Sequence, residues 1–443
     1  MSTSSGEGAS TDVVRYTVPP GTLSTIEVDV EPGAVCWVSP VGDDDPDHRL
    51  RAFADDDGVI RFAFRSANPA EQLVVLAIDG AWGQRHVELR SAWEPNDTHP
   101  APRRSVQPID RGDSRVRAGV SPDDAVRMSR SEAFEQGLPL PPDRETAPDG
   151  FRRWLRMVST PMLVIEPRLV GLDEITHQRT PADAAARLAR TGPQIIGVST
   201  SAQTTANWSG YELLRHKIFQ LESLPHEIMS PPFDWVAGTW FVPSVTAQNF
   251  TGVNNSSCWV GLDGDVSPDL VQAGTEHDAF MLSIPGIVDN EFSTYYAWTE
   301  ILPAPAQAIS NFVVSPGDEI YVEVSIGNAG TPPSLGGQFG RFLVSNLTRS
   351  VTTNINTPLG GTVVPGGDAV WIVERPTVNG GLPPLANYGA IIMLNPQARQ
   401  TDGQQVGYLG NNVVDTMNNG ATVLSTPVSL TATAMSFLWK AAN

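Results

Sequence analysis

From about residue 203 to the C-terminus, apolar and polar positions alternate in short runs separated by Asn-Gly and Gly-Gly turns. Strands are expected at Thr239–Val242, Cys258–Leu262, Tyr295–Thr299, Glu319–Ser325, Arg341–Ser345, Ala369–Glu374, Tyr388–Met393 and Ala432–Leu438. Helical periodicity is nearly absent, apart from Glu212–Glu222 inside a segment, 212–236, that reads as an insertion. Strands of this number and length, with turns between them, predict an all-β antiparallel sandwich over residues 205–443.

The first 95 residues follow the same period. Thr25–Val30, Val35–Val38, Val59–Phe64, Leu73–Ile78 and Arg85–Leu89 form a second, smaller set of strands, predicting a small β-sandwich over 13–95 after a disordered stretch, 1–12. Between the two lies a different texture. Ser121-Pro122-Asp123-Asp124 and Thr180-Pro181-Ala182-Asp183 each offer a hydroxyl cap, proline at the first helical position and acid in the first turn. Helices are therefore expected near 122–136 and 181–190. Pro100, Pro102, Pro139, Pro141 and Pro142 surround them, so residues 96–204 read as a partly helical linker or prosegment.

Charge sharpens this division. The formal total is −20, with 49 acidic against 29 basic residues. Residues 1–102 carry 17 acids and 7 bases, residues 103–190 carry 13 acids and 15 arginines, and residues 206–443 carry 19 acids and 7 bases. A polyanion is a poor partner for nucleic acid, which binds through lysine and arginine on phosphate. An arginine-dense middle between acidic ends suggests an intramolecular prosegment contact, with protonation of carboxylates as an acid trigger for release.

Two cysteines, Cys36 and Cys258, stand in apolar runs far apart, so buried thiols are expected and a cysteine zinc site lacks ligands. The acidic stretches Asp43–Asp47 and Asp55–Asp57 lack the ordered spacing of a calcium loop and read as solvated turns; no metal or other cofactor is expected. The opening residues Met-Ser-Thr-Ser-Ser-Gly-Glu-Gly have neither a basic nor an apolar signal region, and no apolar run reaches membrane-spanning length. Localisation stays open on this reading, with the cytoplasm as default and a non-standard export route as the other choice.

Familiar catalytic signatures are missing: no Gly-x-Ser-x-Gly, no His-Glu-x-x-His and no phosphate-binding Gly-Lys loop. His216, His226 and His277 are the histidines of the last part, and no local pattern joins them to a serine triad. What stands out is acid in apolar strands. Glu374 closes Ala-Val-Trp-Ile-Val-Glu, Glu300 follows Tyr-Tyr-Ala-Trp-Thr, and Asp263 sits in Trp-Val-Gly-Leu-Asp-Gly. Burying such a carboxylate costs free energy unless it is hydrogen-bonded or its pKa rises. Each alone could equally face solvent at a strand end.

The segments Asn207-Trp208-Ser209-Gly210-Tyr211, Gly238-Thr239-Trp240-Phe241-Val242-Pro243, Trp259-Val260-Gly261-Leu262-Asp263-Gly264, Val271-Gln272-Ala273-Gly274, Ala297-Trp298-Thr299-Glu300 and Trp371-Ile372-Val373-Glu374 occur in this order. That ordered set resembles the glutamic peptidases, the eqolisin family of acid endopeptidases, over about Thr205 to the C-terminus. The resemblance implies a concanavalin-like sandwich, polypeptide substrates and no cofactor, with Gln272 and Glu374 as the catalytic dyad although they lie 374 − 272 = 102 residues apart. It also implies supporting roles for Asp263, Glu276 and Glu300, with Trp208, Trp259 and Trp298 near the cleft. For Trp259, in mid-strand, a core position is the stronger expectation from its surroundings. Val370 and Glu276 depart from the family's usual residues, the latter giving a longer reach for the same charge. The competing reading is a non-catalytic sandwich that binds carbohydrate or protein.

Overall fold

The computed structural model describes residues 13–42, 45, 48–66, 72–81, 83–91, 114–183, 200–219, 228–248, 252–265, 267–284, 287–327, 339–410 and 412–443. The chain divides into two compact units. One comprises residues 1–103 with 246–253 and 278–294, and the other comprises 104–245, 254–277 and 295–443. These units are cut differently from the bounds read in the sequence: two pieces from beyond residue 205 join the first, and the arginine-dense middle joins the second.

In the first unit, Val13–Val18, Gly83–Ser91, Gln72–Gly80, Val35–Pro40 and Leu50–Phe53 line up in that order as a five-stranded sheet. The outer pair Val13–Val18 and Gly83–Ser91 runs parallel, whereas the other neighbours run antiparallel. Ser24–Asp29 pairs antiparallel with Val59–Ser66, which also pairs with residues 290–293. Ile26, Phe62, Phe64, Leu76, Ile78 and Leu89 pack with Phe280 and Phe292 in one apolar core. Asp55 is largely buried, accepts from the N–H groups of Asp57 and Val59 at 2.9 Å each, and pairs with Arg61. Its carboxylate organises a turn. The stretch Asp43–Asp47 lies almost wholly outside the described residues, as do the expected disordered stretch 1–12 and His226. Among the described residues no cluster of acids, histidines and cysteines could hold a metal ion.

The second unit is built from two β-layers. One runs Thr200–Thr205, Asn412–Asn419, Trp208–Leu214, Asp368–Glu374, Asn254–Asp263. The other runs Ala434–Trp439, Ala390–Gln400, Phe233–Phe241, Glu319–Ile326, Phe339–Asn346, Val351–Pro358. Apart from the parallel pair of Thr200–Thr205 with Asn412–Asn419, these pairings are antiparallel. Trp371 of the first layer donates its indole N–H to the Ala237 carbonyl of the second at 2.9 Å, so the layers meet through aromatic contact. Trp208–Leu214 and Lys217–Phe219 are strands, so the helix expected from Glu212 does not form in the described part of that segment. Trp208–Leu214 is wholly buried between two neighbours, and burial decides its conformation over local propensity.

The middle of the chain is packed against this unit. Pro122–Arg127 and Arg130–Glu135 are short helices capped by Ser121 and Ser129, the latter in a capping box with Glu132. A third helix, Pro148–Ser159, buries Gly150, Trp154, Met157 and Val158, a spacing that keeps them on one face. These elements share a core with Trp235, Ala237, Tyr321 and Leu343 of the sheet. Met162–Ile165 adds in parallel beside Val351–Pro358, and Ser114–Arg117 pairs with it. The helical turn at 181–183 begins where expected; the rest of that expected helix lies outside the described residues. Both cysteines are buried free thiols, and burial lifts Cys36 to about 12 and Cys258 well above its ordinary value.

Trp154 is buried and donates its indole N–H to the Pro139 carbonyl at 2.8 Å. Trp154→Ala should therefore destabilise the second unit by about 3–5 kcal/mol. The urea midpoint followed by tryptophan fluorescence checks this, and an unchanged midpoint would show that the helix adds nothing to the fold.

Candidate active site

Glu374 is the last residue of the buried strand Asp368–Glu374, flanked by Trp208–Leu214 and Asn254–Asp263. Register places it opposite Trp208 on one side and Ser257 on the other. Its carboxylate is fully buried and satisfied: Oε1 accepts from Asn207 Nδ2 and Oε2 from Trp259 Nε1, each at 2.9 Å. Two motif glycines make this close assembly possible. A Cβ on Gly210 would lie 2.1 Å from the Trp371 carbonyl oxygen, and one on Gly274 would lie 2.3 Å from that of Cys258. Side chains at either place would push the strands apart.

Gln272, in the strand Leu270–Ile284, is also fully buried. Its Nε2 donates to Glu300 Oε2 at 2.6 Å and to the His177 carbonyl at 3.3 Å. Both partners are acceptors, which fixes which end of the amide carries the nitrogen. Gln272 Oε1 has no hydrogen-bond partner among the described residues.

The segment Leu172–Thr180 lies across these groups. Its neighbour Leu169–Gly171 pairs antiparallel with Gln307–Ile309, and Ile175–Thr176 pairs with Thr377–Val378. Beyond this pairing, Ile175, His177 and Arg179 are buried while Gln178 is exposed, the alternation of an extended peptide. His177 stacks on Trp298 with centroids 3.6 Å apart. Its Nε2 lies 3.0 Å from Glu276 Oε2, its Nδ1 lies 3.5 Å from Glu300 Oε2, and its backbone N–H donates to Glu300 at 3.3 Å. Asn207 Nδ2 also donates to the Gln178 carbonyl at 2.9 Å, while Asn207 Oδ1 accepts from the Thr180 N–H at 3.3 Å. Successive carbonyls of one extended strand thus meet Gln272 and then Asn207, the residue that holds Glu374. A cavity of about 210 Å³ continues beside Glu300, lined by Asp173, Ile301, Pro305 and Phe342 among others.

Electrostatics follow from burial. Desolvation is the largest cause raising Glu374 well above its ordinary value; the His177 charge and the Trp259 bond oppose it, and Glu300 and Glu276 add to it. Burial acts against charge on His177 too, but the bonds to Glu276 and Glu300 outweigh it and lift the imidazole to about 10. Burial pushes His277 down to about 3; its neutral ring meets Thr275 Oγ1 at 2.8 Å and Ser256 Oγ at 3.4 Å.

The residues singled out in the sequence are distributed unequally. Glu276, Glu300 and Trp298 surround His177, and Gln272 joins them through Glu300. Trp259 is fully buried, as expected of a core position, and it also donates its N–H to Glu374, because its position two residues beyond Ser257 turns it to the same face of the sheet. Trp208 packs edge-on against Trp259. Asp263 is engaged elsewhere. Its oxygens accept from the N–H groups of Gly366 at 2.9 Å and Gly367 at 2.5 Å, and its φ of 65° places it in a turn. Burial raises it to about 6. Three further residues take part: Asn207, which opens the Asn-Trp-Ser-Gly-Tyr motif, and His177 and Arg179, which lie upstream of every motif in the ordered set.

Residues 225–437 match the Peptidase A4 family. The C-terminal domain belongs to the glutamic peptidases, and it is a glutamic-type endopeptidase domain. The peptidase region is 25 % identical over 251 residues to aspergillopepsin-2 of Aspergillus niger, covering 52 % of this chain and 77 % of that protein. Two solved structures are also similar. A scytalido-glutamic peptidase with a peptide-based transition-state analogue is 21 % identical, with a TM-score of 0.40, over 53 % of this chain and 98 % of that one. SCP-B, an eqolisin peptidase in complex with the tripeptide Ala-Ile-His, is 20 % identical over the same shares, with a TM-score of 0.37. The alternative of a purely binding sandwich is set aside.

In the peptidase domain, the two shifts at the site share a sign. His177 has its pKa raised from 6.5 to about 10, so its stabilising contribution is complete below about 6.5 and is lost as pH rises through about 10. Glu374 is raised above 4.5, so the arrangement that buries it is likewise favoured by acid and loses ground as pH rises through the raised value. The seated segment should therefore loosen toward alkaline pH. Urea midpoints from pH 5 to 10 should fall across this range, and His177→Phe should flatten the upper part; a midpoint that rises from pH 6.5 to 10 would contradict the assignment.

Proposed function

We propose that Glu374 and Gln272 hydrolyse polypeptides by activating one water molecule, in the acidic range. The observation that carries this reading is the pair of adjacent peptide carbonyls, His177 bonded to Gln272 and Gln178 to the Asn207 that holds Glu374. A substrate strand lying in the same place would present its carbonyl carbon between the amide and the carboxylate.

The steps follow from the groups present. Glu374, ionised in the open cleft, takes a proton from water as its oxygen adds to the carbonyl carbon. The Nε2–H of Gln272 donates to the oxyanion, and Gln272 Oε1 is free to hold the attacking water. Collapse breaks the C–N bond, and the proton on Glu374 passes to the leaving nitrogen, giving a carboxylic acid and an amine. Glu300 positions the Gln272 amide through its 2.6 Å bond. A carboxylate base surrounded by carboxyl neighbours works where carboxyl groups titrate, which supports activity in acid.

Residues 114–183 act as a prosegment in this reading. With Leu172–Thr180 seated, burial raises Glu374 well above its ordinary pKa, which favours the protonated form that cannot accept a proton from water. The segment blocks chemistry as well as access. Removing it readmits water and lets Glu374 ionise at lower pH. The acid-release trigger suggested by the charge pattern is not favoured here, because the burial of Glu374 and the carboxylate bonds of His177 make seating weaker toward alkaline pH, not toward acid. Release by cleavage of the chain fits better than release by neutralised charge.

Digestion of a denatured protein at acidic pH tests the dyad. Glu374→Gln and Gln272→Ala should each lower the rate at least about a hundredfold, with folding unchanged by circular dichroism and with chelators without effect. Full activity in either variant would overturn the reading. Mass spectrometry of the acid-incubated chain should show a cut between residues 103 and 205 that precedes full activity; undiminished activity of the uncut chain would remove the prosegment role.

A further inference from the structure

Arg179 is an arginine buried at 3 % exposure in a pocket of carboxylates. Its guanidinium pairs with Glu212, with Asp415 at 2.9 Å and with Asp265 at 3.7 Å, and lies 4.5 Å from the ring centroid of Trp208. Glu212 and Asp415 are fully buried on paired strands, Trp208–Leu214 and Asn412–Asn419. Two buried carboxylates on neighbouring strands repel one another unless a cation lies between them. Arg179, from the segment that lies across the dyad, is a cation in that position. The pocket is thus formed by the peptidase sandwich and filled by a side chain of the strand occupying its cleft.

His177 repeats the arrangement two residues earlier. Its pocket is made by Glu276, Glu300 and the face of Trp298, with the imidazole flat against the indole. The extended alternation that buries residues 175, 177 and 179 fixes the register: the His177–Gln178 peptide unit lies at Gln272 and Asn207, with one acidic pocket before it and another after it.

We propose that Ile175–Arg179 traces the path of a substrate, and that the enzyme favours polypeptides with a cationic or imidazole side chain immediately before the cleaved bond and arginine or lysine two residues after it. This rests on the dyad reading. The pockets select by the same physics that seats the segment. A cation offsets the charge of the buried carboxylates, whereas an apolar side chain brings them no counter-charge and an acidic one adds to the repulsion. Arginine should exceed lysine in the second pocket, since its planar guanidinium can meet two carboxylates at once and lie over Trp208.

The test uses the full chain at several acidic pH values with a library of peptides from a denatured proteome, the new termini being read by mass spectrometry. Histidine, lysine or arginine should be enriched at least about threefold before the cut, and arginine or lysine similarly at the second position after it. On a matched pair of peptides with arginine or alanine at that second position, wild type should prefer arginine about tenfold in kcat/KM, and Glu212→Gln with Asp415→Asn should bring the ratio close to one. Cleavage with no enrichment at either position, or enrichment of apolar or acidic residues there, overturns the pocket assignment while leaving the dyad intact. A Glu374→Gln chain that cuts as fast as wild type overturns the dyad reading itself, and a wild-type chain that cuts nothing overturns both.

Discussion

A carboxyl group buried at the end of an apolar strand must be hydrogen-bonded, and most of this site is arranged around that requirement. Glu374 meets it through Asn207 on one side and the Trp259 indole on the other. Trp259 lies in a neighbouring strand and Asn207 directly precedes another, and close approach of the strands here depends on Gly210 and Gly274, at places where a Cβ would collide with backbone. The sandwich therefore does more than support a site. Its register sets which donors reach the carboxylate, and burial by the overlying segment sets the charge that the carboxylate can carry.

The same logic explains why the arginine-dense middle of the chain is not a loose connection. Its helices bury an apolar face against Trp235, Tyr321 and Leu343, and its extended part sends His177 and Arg179 into separate acidic pockets. Packing and charge act together. The helices tether the segment, and the two cations hold it over Gln272 and Glu374. Removing either cation would take one partner out of a buried ion pair, a cost of about 3–5 kcal/mol for a pair of this kind.

Much of this was legible in the residues. Period-two alternation marked the strands of both units, and serine followed by proline and acid marked the cap at Ser121. The buried acids Glu374 and Glu300 declared themselves by standing in apolar strands. Other features were hidden for physical reasons. The helix Pro148–Ser159 has four of its twelve residues buried and is otherwise rich in arginine, so its apolar stripe is thin against a polar background. Asp263 shares its strand with Trp259, yet a left-handed turn directs its carboxylate to Gly366 and Gly367. His177 and Arg179 carry no local signal at all, because their pockets are assembled from Glu276, Glu300, Glu212 and Asp415, residues about 30 to 240 positions away.

The central claim is that Glu374, once uncovered, works as an ionised base whose charge is held by the Trp259 N–H. The pH dependence of kcat/KM in wild type and Trp259→Phe examines this directly. Loss of a donor to the carboxylate raises its pKa, so the account predicts that the acid limb of the profile moves to higher pH in the variant. An acid limb that stays in place, or moves to lower pH, would contradict it.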